Sequence, residues 1–342
     1  MSLPQQHVSL AAHTTLQVGG PAQYWWEVRS VAELHDACVF ARKEGFPITV
    51  LGGGSNVLVS DAGVSGLVIK IAIPGRTYEN QSDGSILATI GAGENWDSLV
   101  ADTVARGWWG LENLSSIPGL VGAVPVQNVG AYGVEVSDLI ESVTVYDISR
   151  GVCRELTAEE CQFGYRHSYF KTASGSGLVV VAVRFRLSGQ PTPILSYADM
   201  SNRFSAGSVP SVGEVRAAIV EIRAGKFPDW SAVGTAGSFF KNPIITQEEV
   251  DRLKVAYPGL PAYPLPDGRV KVSLGWILDK ICNLRGSQAG SVGLYQQQAL
   301  VLVHYGGGTA AEIDAFAADV ARQVREKTGI EIEREVRSLP AS

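Results

Sequence analysis

The chain has 342 residues, enough for roughly two domains and a sizeable core. Charged residues make up 18%, below the typical fraction of about 25%, the 45% of hydrophobic residues is ordinary for a soluble globular protein, and no apolar run approaches the roughly 20 residues that span a bilayer. A net charge of −6 argues against nonspecific nucleic-acid binding, while leaving room for local positive sites that take small anions.

In chain order, Ser30-Val31-Ala32-Glu33 reads as a capping box, and Leu34, Ala37, Cys38 and Ala41 follow with helical spacing. Gly45 is the expected stop. Ile48-Thr49-Val50-Leu51 is a short β-branched run that predicts a buried strand, and residues 66–70 predict another. Between them stands Gly52-Gly53-Gly54-Ser55-Asn56, followed by the apolar Val57-Leu58-Val59. The first 72 residues thus have a β-α-β-loop-β order. Residues 85–90 predict a strand, 96–106 a helix, and 139–147 and 178–187 two further strands, a second α+β subdomain. Residues 188–210, rich in Ser, Pro and Gly, read as a connection. Helices are expected over 212–223 and 276–282 and a strand over 298–304. Thr309-Ala310-Ala311-Glu312 is a second capping box, opening a long helix with Ile313, Phe316, Ala317, Val320 and Val324 on its apolar face and Gly329 at its end. Residues 330–337 alternate like a strand, with Glu331, Glu333 and Glu335 on its polar side. No internal repeat is present.

Cys38, Cys153, Cys161 and Cys282 have neither metal-ligand spacing nor a close pair. Reduced, mostly buried thiols in a cytoplasmic protein, and no metal, are the expectation. The first residues carry no basic-then-apolar signal segment.

Glycine accounts for 38 of 342 residues, about 11% against a usual value near 7%. Three successive glycines after a strand let the backbone turn sharply, and free N–H groups in such a turn attract phosphate oxygens. The chain then continues as a strand, and the last position of the dinucleotide fingerprint is Val57, so neither a Rossmann helix nor a P-loop fits. The residues alone allow a pyrophosphate cradle or an ordinary tight turn. A second stretch, Ser115-Ser116-Ile117-Pro118-Gly119 through Gln127-Asn128-Val129-Gly130-Ala131-Tyr132-Gly133, is charge-free and rich in glycine. It suits a large, flat, neutral ring. The alternative is a buried helical hairpin trimmed with glycines. Two such loops in one chain favour a cofactor.

Phe163-Gly164-Tyr165-Arg166 sets an arginine among aromatics, fit to grip a carboxylate or phosphate, or merely to form a surface ion pair. Ala236-Gly237-Ser238-Phe239-Phe240-Lys241-Asn242-Pro243 holds a serine with limited solvent. Its fifth position is Phe240 rather than glycine, which disfavours a hydrolase elbow and leaves a structural hydroxyl as the plain alternative. On pattern alone, Glu335 belongs to a solvated face.

In their order these segments resemble the UDP-N-acetylenolpyruvoylglucosamine reductase family, flavoenzymes of bacterial cell-wall synthesis. The likeness runs through nearly the whole chain. It also takes in Gly91-Ala92-Gly93-Glu94-Asn95-Trp96, Gly110-Leu111-Glu112-Asn113-Leu114, Arg223 with Lys226 and Pro228, and Glu333 with Glu335-Val336-Arg337.

The resemblance implies an α+β fold: a vanillyl-alcohol-oxidase-type (PCMH-type) FAD-binding region of two α/β subdomains, then a C-terminal α+β substrate-binding domain. The expected limits are 14–188 for the FAD-binding region, with subdomains about 1–72 and 73–210 and the strand 330–338 returning to it, and 211–338 for the C-terminal domain. It implies non-covalent FAD, with NADPH as electron donor. The residues carried over for FAD are Gly52, Gly53, Gly54, Ser55, Asn56, Val57, Ser116, Ile117, Gly119, Gly122, Gln127, Asn128, Gly130, Ala131, Tyr132 and Gly133.

Arg166, Ser238 and Glu335 correspond to the family's catalytic residues. Tyr197 resembles the substrate-covering tyrosine of the family's longer type, and Lys226, Asn242, Tyr263 and Gln297 resemble substrate contacts. The implied reaction is reduction of UDP-N-acetylglucosamine enolpyruvate to UDP-N-acetylmuramate by a cytoplasmic bacterial enzyme, expected to be a monomer without nucleic-acid or membrane partners. Two departures stand out: His167 where an aspartate often follows the arginine, and Arg334 where proline is common. Two rivals remain. An FAD-dependent sugar or alcohol oxidase of the same cofactor fold is opposed by the absence of His or Cys from the first glycine loop. A non-enzymatic nucleotide-sugar binder is opposed by the ring-sized neutral loop.

Overall fold

The computed structural model describes residues 3–205 and 207–340, so residue 206 of the expected connection and the first two residues lie outside it. The described chain forms two compact units, one of residues 3–8, 22–53 and 65–223, the other of 9–21, 54–64 and 224–340.

The first unit is built on two sheets. In one, the strands run in the order Gln5–Ser9, Pro21–Val28, Val64–Ile71, Ile48–Leu51. Ile48–Leu51 lies parallel to Val64–Ile71, with Ile48 opposite Leu67 and Leu51 opposite Lys70. The helix Val31–Glu44 connects Pro21–Val28 to Ile48–Leu51. Ser30 caps it by accepting from the Glu33 N–H, and Gly45 closes it at φ 69°. The Glu33 carboxylate reaches back to the N–H of Arg29 rather than to that of Ser30, so the box is shifted by one residue. Its apolar stripe of Leu34, Ala37, Cys38 and Ala41 is buried as expected.

The second sheet is antiparallel, ordered Val152–Thr157, Ile140–Asp147, Leu178–Ser188, Ser85–Gly91, Arg76–Asn80. Trp96, on the helix Trp96–Ala105, packs its ring 5.9 Å from that of Phe185 in one core that also holds Leu34, Ile69 and Val143. Burying side chains of this size contributes about 1.5–3 kcal/mol each. The segment 188–210 is more than a connection. It carries a short helix, Ala198–Ser201, whose Met200 is buried with Trp109, Tyr132 and the face Val212, Val215, Ala218 and Ile219 of the helix Val212–Ala224. That helix therefore belongs to the first unit, past the domain limit read from the sequence.

The second unit has a sheet ordered Gly234–Ser238, Val301–His304, Val292–Leu294, Gln288–Ala289, and a smaller one ordered Ile244–Ile245, Val270–Val272, Ala262–Pro264. The long helix Ala310–Thr328 starts on a full capping box between Thr309 and Glu312 and ends on Gly329 at φ 78°. Its Ile313, Ala317, Val320 and Val324 enter the core.

Three expectations are corrected here. The strand expected from 298 begins at Val301, because Gln298 closes a turn onto Tyr295. The helix expected over 276–282 is a turn of α-helix, Leu274–Trp276, that widens into a π-turn at Ile277–Ile281. The alternating residues 330–336 are not a continuous strand; Arg337–Leu339 is, and it pairs in parallel with Val57–Val59.

Candidate active site

The first glycine loop leaves the strand Ile48–Leu51 at Gly52. Gly53 meets other backbone so closely that a Cβ there would stand 2.7 Å from Cα of Gly119. The two glycine-rich stretches singled out in the sequence therefore touch main chain to main chain within the first unit. Lys70, on the neighbouring strand, donates to the Gly52 carbonyl. Gly54, Ser55, Asn56 and Val57 fall in the second unit. There the Thr15 N–H donates to the Gly54 carbonyl at 3.1 Å, Asn56 Nδ2 donates to the Glu335 carbonyl at 3.2 Å, and Val57 lies opposite Arg337.

The charge-free stretch is neither a helical hairpin nor a loose loop. Ser116 holds φ +57° and gives its N–H to Asp97 Oδ1 at 2.6 Å. Ile117 and Gly119 follow, half-buried, and Gly122 is pressed onto Ala92. Gln127 ends the short helix Val124–Gln127, and its Oε1 accepts from Lys171 Nζ at 2.5 Å. Asn128 adopts the left-handed conformation. Its Nδ2 donates to Glu135 Oε2 and to the Gly164 carbonyl, and its Oδ1 accepts from the Ser137 N–H. Gly130–Ala131 pairs with Val134–Glu135 around Tyr132 and Gly133, both at positive φ, the backbone of a tight two-residue hairpin.

Asn113, fully buried, ties this hairpin down by donating from Nδ2 to the carbonyls of Tyr132 and Ile194, both at 2.9 Å. Its Oδ1 is buried without a hydrogen-bond partner in the protein. Beside it, burial pushes the Glu112 carboxyl above its ordinary range, against the opposing pull of the Gly110 N–H at 2.6 Å.

Arg166 occupies a two-residue turn, closed by reciprocal main-chain bonds between Gly164 and His167, at φ +52°. Its Nη2 donates to the Gly130 carbonyl at 2.9 Å and its Nη1 to that of Asn128 at 3.4 Å, so the arginine rests on the same hairpin. Lys171 Nζ holds its carbonyl at 2.8 Å. His167, which closes the turn, is exposed. Tyr197, at the N-terminus of Ala198–Ser201 and 46% exposed, sets its ring edge-on to Tyr132 with centroids 5.4 Å apart.

In the second unit, Ser238 ends the strand Gly234–Ser238. The register runs Thr235 opposite Val303 and then Ser238 opposite Val301, so one extra residue bulges at Ala236–Gly237. Gly237 takes φ +73°, and its N–H turns in to Thr235 Oγ1 at 3.1 Å. Such a bulge re-aims the side chain that follows it. The chain beyond is held by main-chain bonds. Glu335 N–H donates to the Phe239 carbonyl at 2.9 Å, and Lys241 N–H to that of Glu333 at 2.9 Å. Ser238 and Glu335 are thereby fixed on adjoining segments of one unit.

Glu335 is half-buried rather than part of a solvated face, while Glu333 is exposed and pairs with Lys241. Arg334 spends its charge on Asp314. Asn242 Oδ1 accepts from the Leu274 N–H at 3.0 Å, which orients its side chain. Lys226 is half-buried, and Tyr263 and Gln297 are exposed. Among the described residues no cluster of His, Cys, Asp or Glu could hold a metal ion, and no helix is long and apolar enough to cross a membrane.

Sequence reasoning passed over Lys70, Asp97, Lys171 and Arg216. Each is an ordinary charge at its own position and gains meaning only from partners remote in the chain.

Residues 22–157 match the family profile described as an FAD binding domain, and residues 229–339 match that of the UDP-N-acetylenolpyruvoylglucosamine reductase C-terminal domain. The UDP-N-acetylenolpyruvoylglucosamine reductase of Ralstonia nicotianae is 42% identical over 340 residues, 98% of this chain and 99% of that protein. The reductase of the same name from Pseudomonas aeruginosa is 40% identical over 97% of each chain. The crystal structure of UDP-N-acetylenolpyruvylglucosamine reductase from Thermus caldophilus superposes with a TM-score of 0.70 at 27% identity, covering 99% of this chain and 100% of that one. The first unit fits the cofactor named by its profile. Its two glycine stretches meet backbone to backbone, its neutral hairpin offers main-chain groups, and Asn113 Oδ1 remains as an unmatched buried acceptor.

Proposed function

Because the chain belongs to the UDP-N-acetylenolpyruvoylglucosamine reductase family, we propose roles for its residues in the reaction that defines this family. The protein is an FAD-dependent oxidoreductase that uses NADPH to reduce UDP-N-acetylglucosamine enolpyruvate to UDP-N-acetylmuramate. FAD, when bound, would supply the redox chemistry, a hydride taken from NADPH and passed on to C3 of the enolpyruvyl group. The protein has two further tasks. It must stabilise the charge that builds up as the double-bond electrons move toward C2 and the carboxylate, and it must bring a proton to C2.

We assign the first task to Arg166. A guanidinium offers a planar two-pronged grip on a carboxylate, and it strengthens as charge develops. Its anchorage on the Gly130 carbonyl, in the hairpin here assigned to the cofactor, is the observation that carries this reading. Glu335 assists the carboxylate end, and Ser238 Oγ–H gives the proton to C2. A serine hydroxyl is a weak acid, so nearby donors must hold the alkoxide it leaves. Gly52, Gly53, Ser116, Ile117, Gly119, Gly122, Gln127, Asn128, Gly130, Ala131, Tyr132 and Gly133 of the first unit, and Gly54, Ser55, Asn56 and Val57 of the second, would hold FAD through main-chain groups. Tyr197, Lys226, Asn242, Tyr263 and Gln297 would take the nucleotide-sugar. We further propose a monomer acting in the bacterial cytoplasm to make a peptidoglycan precursor, and hence in cell shape and division. Sedimentation as a larger species would refute the monomer.

The test is spectroscopic. The purified protein should be yellow and release free FAD on denaturation. Anaerobic NADPH should bleach it, and the enolpyruvyl substrate should restore the colour. A folded preparation without flavin, or one reoxidised by oxygen and sugars but not by the enolpyruvyl ether, would sink the assignment.

A further inference from the structure

We propose that Asp97 and Arg216 are positioning residues for the cofactor: a charged clasp that holds the Ser116 end of the neutral loop in its FAD-binding conformation. The proposal rests on the reading that the first unit holds FAD.

The starting point is a backbone that does not favour itself. Ser116 sits at φ +57° and Tyr132 at φ +49°, in a region that side-chain-bearing residues seldom adopt unless their surroundings insist. These two residues bracket the charge-free stretch. At the Ser116 end, the N–H donates to Asp97 Oδ1 at 2.6 Å. The same carboxylate receives both prongs of Arg216, Nη1 to Oδ1 at 2.7 Å and Nη2 to Oδ2 at 2.9 Å. A paired fork of this kind fixes a carboxylate in orientation as well as in place. Both side chains are largely withdrawn from water, Arg216 to 18% and Asp97 to 35% exposure, so solvent competes less than at an open surface pair.

The other face of Ser116 is held from the same helix. Arg223 stands two turns beyond Arg216 on Val212–Ala224, hence on the same side. Its Nε donates to the Ser116 carbonyl at 3.3 Å, and it hydrogen-bonds the Tyr132 side chain. One helix thus presents two guanidinium groups to the two strained ends of the loop, one through Asp97 and one directly. The helix's apolar face packs on Met200 in the segment that carries Tyr197. An ion pair serving stability alone has no reason to end on the N–H of a strained residue beside the cofactor contacts.

The experiment is a thermodynamic cycle on the full-length protein, stripped of flavin and titrated with FAD by quenching of its fluorescence. Asp97→Asn, Arg216→Gln and the double variant are compared with wild type. Each single change should raise the FAD dissociation constant on the order of tenfold, as expected for losing one charge-assisted hydrogen bond. The double variant should be no worse than the worse single, because either change opens the same clasp. The apoproteins should keep wild-type circular dichroism and unfold within a few degrees of wild type. If Asp97→Asn does not fold, Arg216→Lys carries the test, since it keeps the charge and loses the fork. Unchanged FAD affinity in the variants, or losses that simply add, overturns the clasp. A wild-type protein that binds no FAD would instead overturn the underlying reading, so the two failures are distinguishable.

Discussion

In the loop 115–133, Ser116, Asn128 and Tyr132 hold φ angles of 57°, 43° and 49°, and side chains reach them from elsewhere: Asp97 to the Ser116 N–H, Asn113 to the Tyr132 carbonyl, Arg166 to that of Asn128. In the stretch from Ser238 to Lys241, the restraints around Ser238 are main-chain bonds to Leu300, Glu333 and Glu335 and a bulge at Gly237, with a side-chain pair only at the far end, Lys241 to Glu333. The difference teaches where each region is vulnerable. A shape held by distant side chains fails when a remote residue is changed. A shape held by main chain tolerates side-chain exchange, so a substitution there reports on chemistry with little contribution from structure.

The sharpest use of that contrast is Ser238→Ala, because the main-chain bonds around it stay intact. Reoxidation of reduced flavin by substrate should slow by about 10²–10⁴-fold, the usual contribution of a positioned proton donor. Bleaching by NADPH and the melting temperature should be unchanged. Wild-type reoxidation would reduce Ser238 to a structural hydroxyl.

Arg166 stands on the other side, since its guanidinium both props the hairpin and is assigned to the substrate. Arg166→Lys should slow reoxidation by roughly 10²-fold, the scale of losing one preorganised donor, and by more than it weakens substrate binding. His167, exposed where it closes the turn, should tolerate Asn with little effect. Stopped-flow traces in which His167→Asn is the slower of the two would reverse the assignment.

Tyr197 tests the segment that lies on Tyr132. Tyr197→Ala should raise the substrate KM about tenfold, a loss near 1.4 kcal/mol, with a smaller effect on flavin reduction. No change in KM would make the segment packing only.

Glu112 gives the smallest effect and one with a sign. Burial raises its carboxyl pKa, so folding favours the protonated form. The stability this contributes is present below the unfolded-state pKa and lost as pH rises through the folded one. Glu112→Gln mimics the protonated acid and keeps an acceptor for the Gly110 N–H. It should melt above wild type at pH 8, with the gap closing toward pH 4. A gap that widened in acid would show that the Gly110 bond outweighs burial.

Helices were legible where a cap and a 3.6-residue stripe agreed, as at Ser30 with Leu34, Ala37 and Cys38, or Thr309 with Ile313 and Val320. The glycine loop between Leu51 and Val57 was legible because its neighbours are β-branched. The strands Arg76–Asn80 and Val152–Thr157 were not, since their exposed, polar faces carry no apolar signal. Alternation misled at 330–336, where buried Ile330 and Val336 belong to an irregular segment whose Glu333, Glu335 and Val336 bond to the main chain of Lys241 and Phe239. Within the site, residue types alone left Arg166 open to a surface ion pair, Ser238 to a structural hydroxyl and Glu335 to a solvated face, and it was the ordered family resemblance that singled out the three. The left-handed turn at Arg166, the bulge before Ser238 and the Asp97–Arg216 pair depend on contacts from far along the chain, and no local pattern encodes those.

The parallel pairing of Val57–Val59 with Arg337–Leu339 also sets a clock on biosynthesis. Asn56 and Glu335, joined by a hydrogen bond, are 279 positions apart. At ribosomal rates of about 5–20 residues per second, roughly 14 to 56 s pass between the making of the two partners. All segments of the first unit are available once residue 223 has emerged, whereas Val57–Val59 still waits as an unpaired apolar edge. The nascent chain is therefore exposed to off-pathway strand pairing throughout the last third of its synthesis. Slowing translation after residue 223 lengthens that exposure, and a chaperone that covers Val57–Val59 would shorten it.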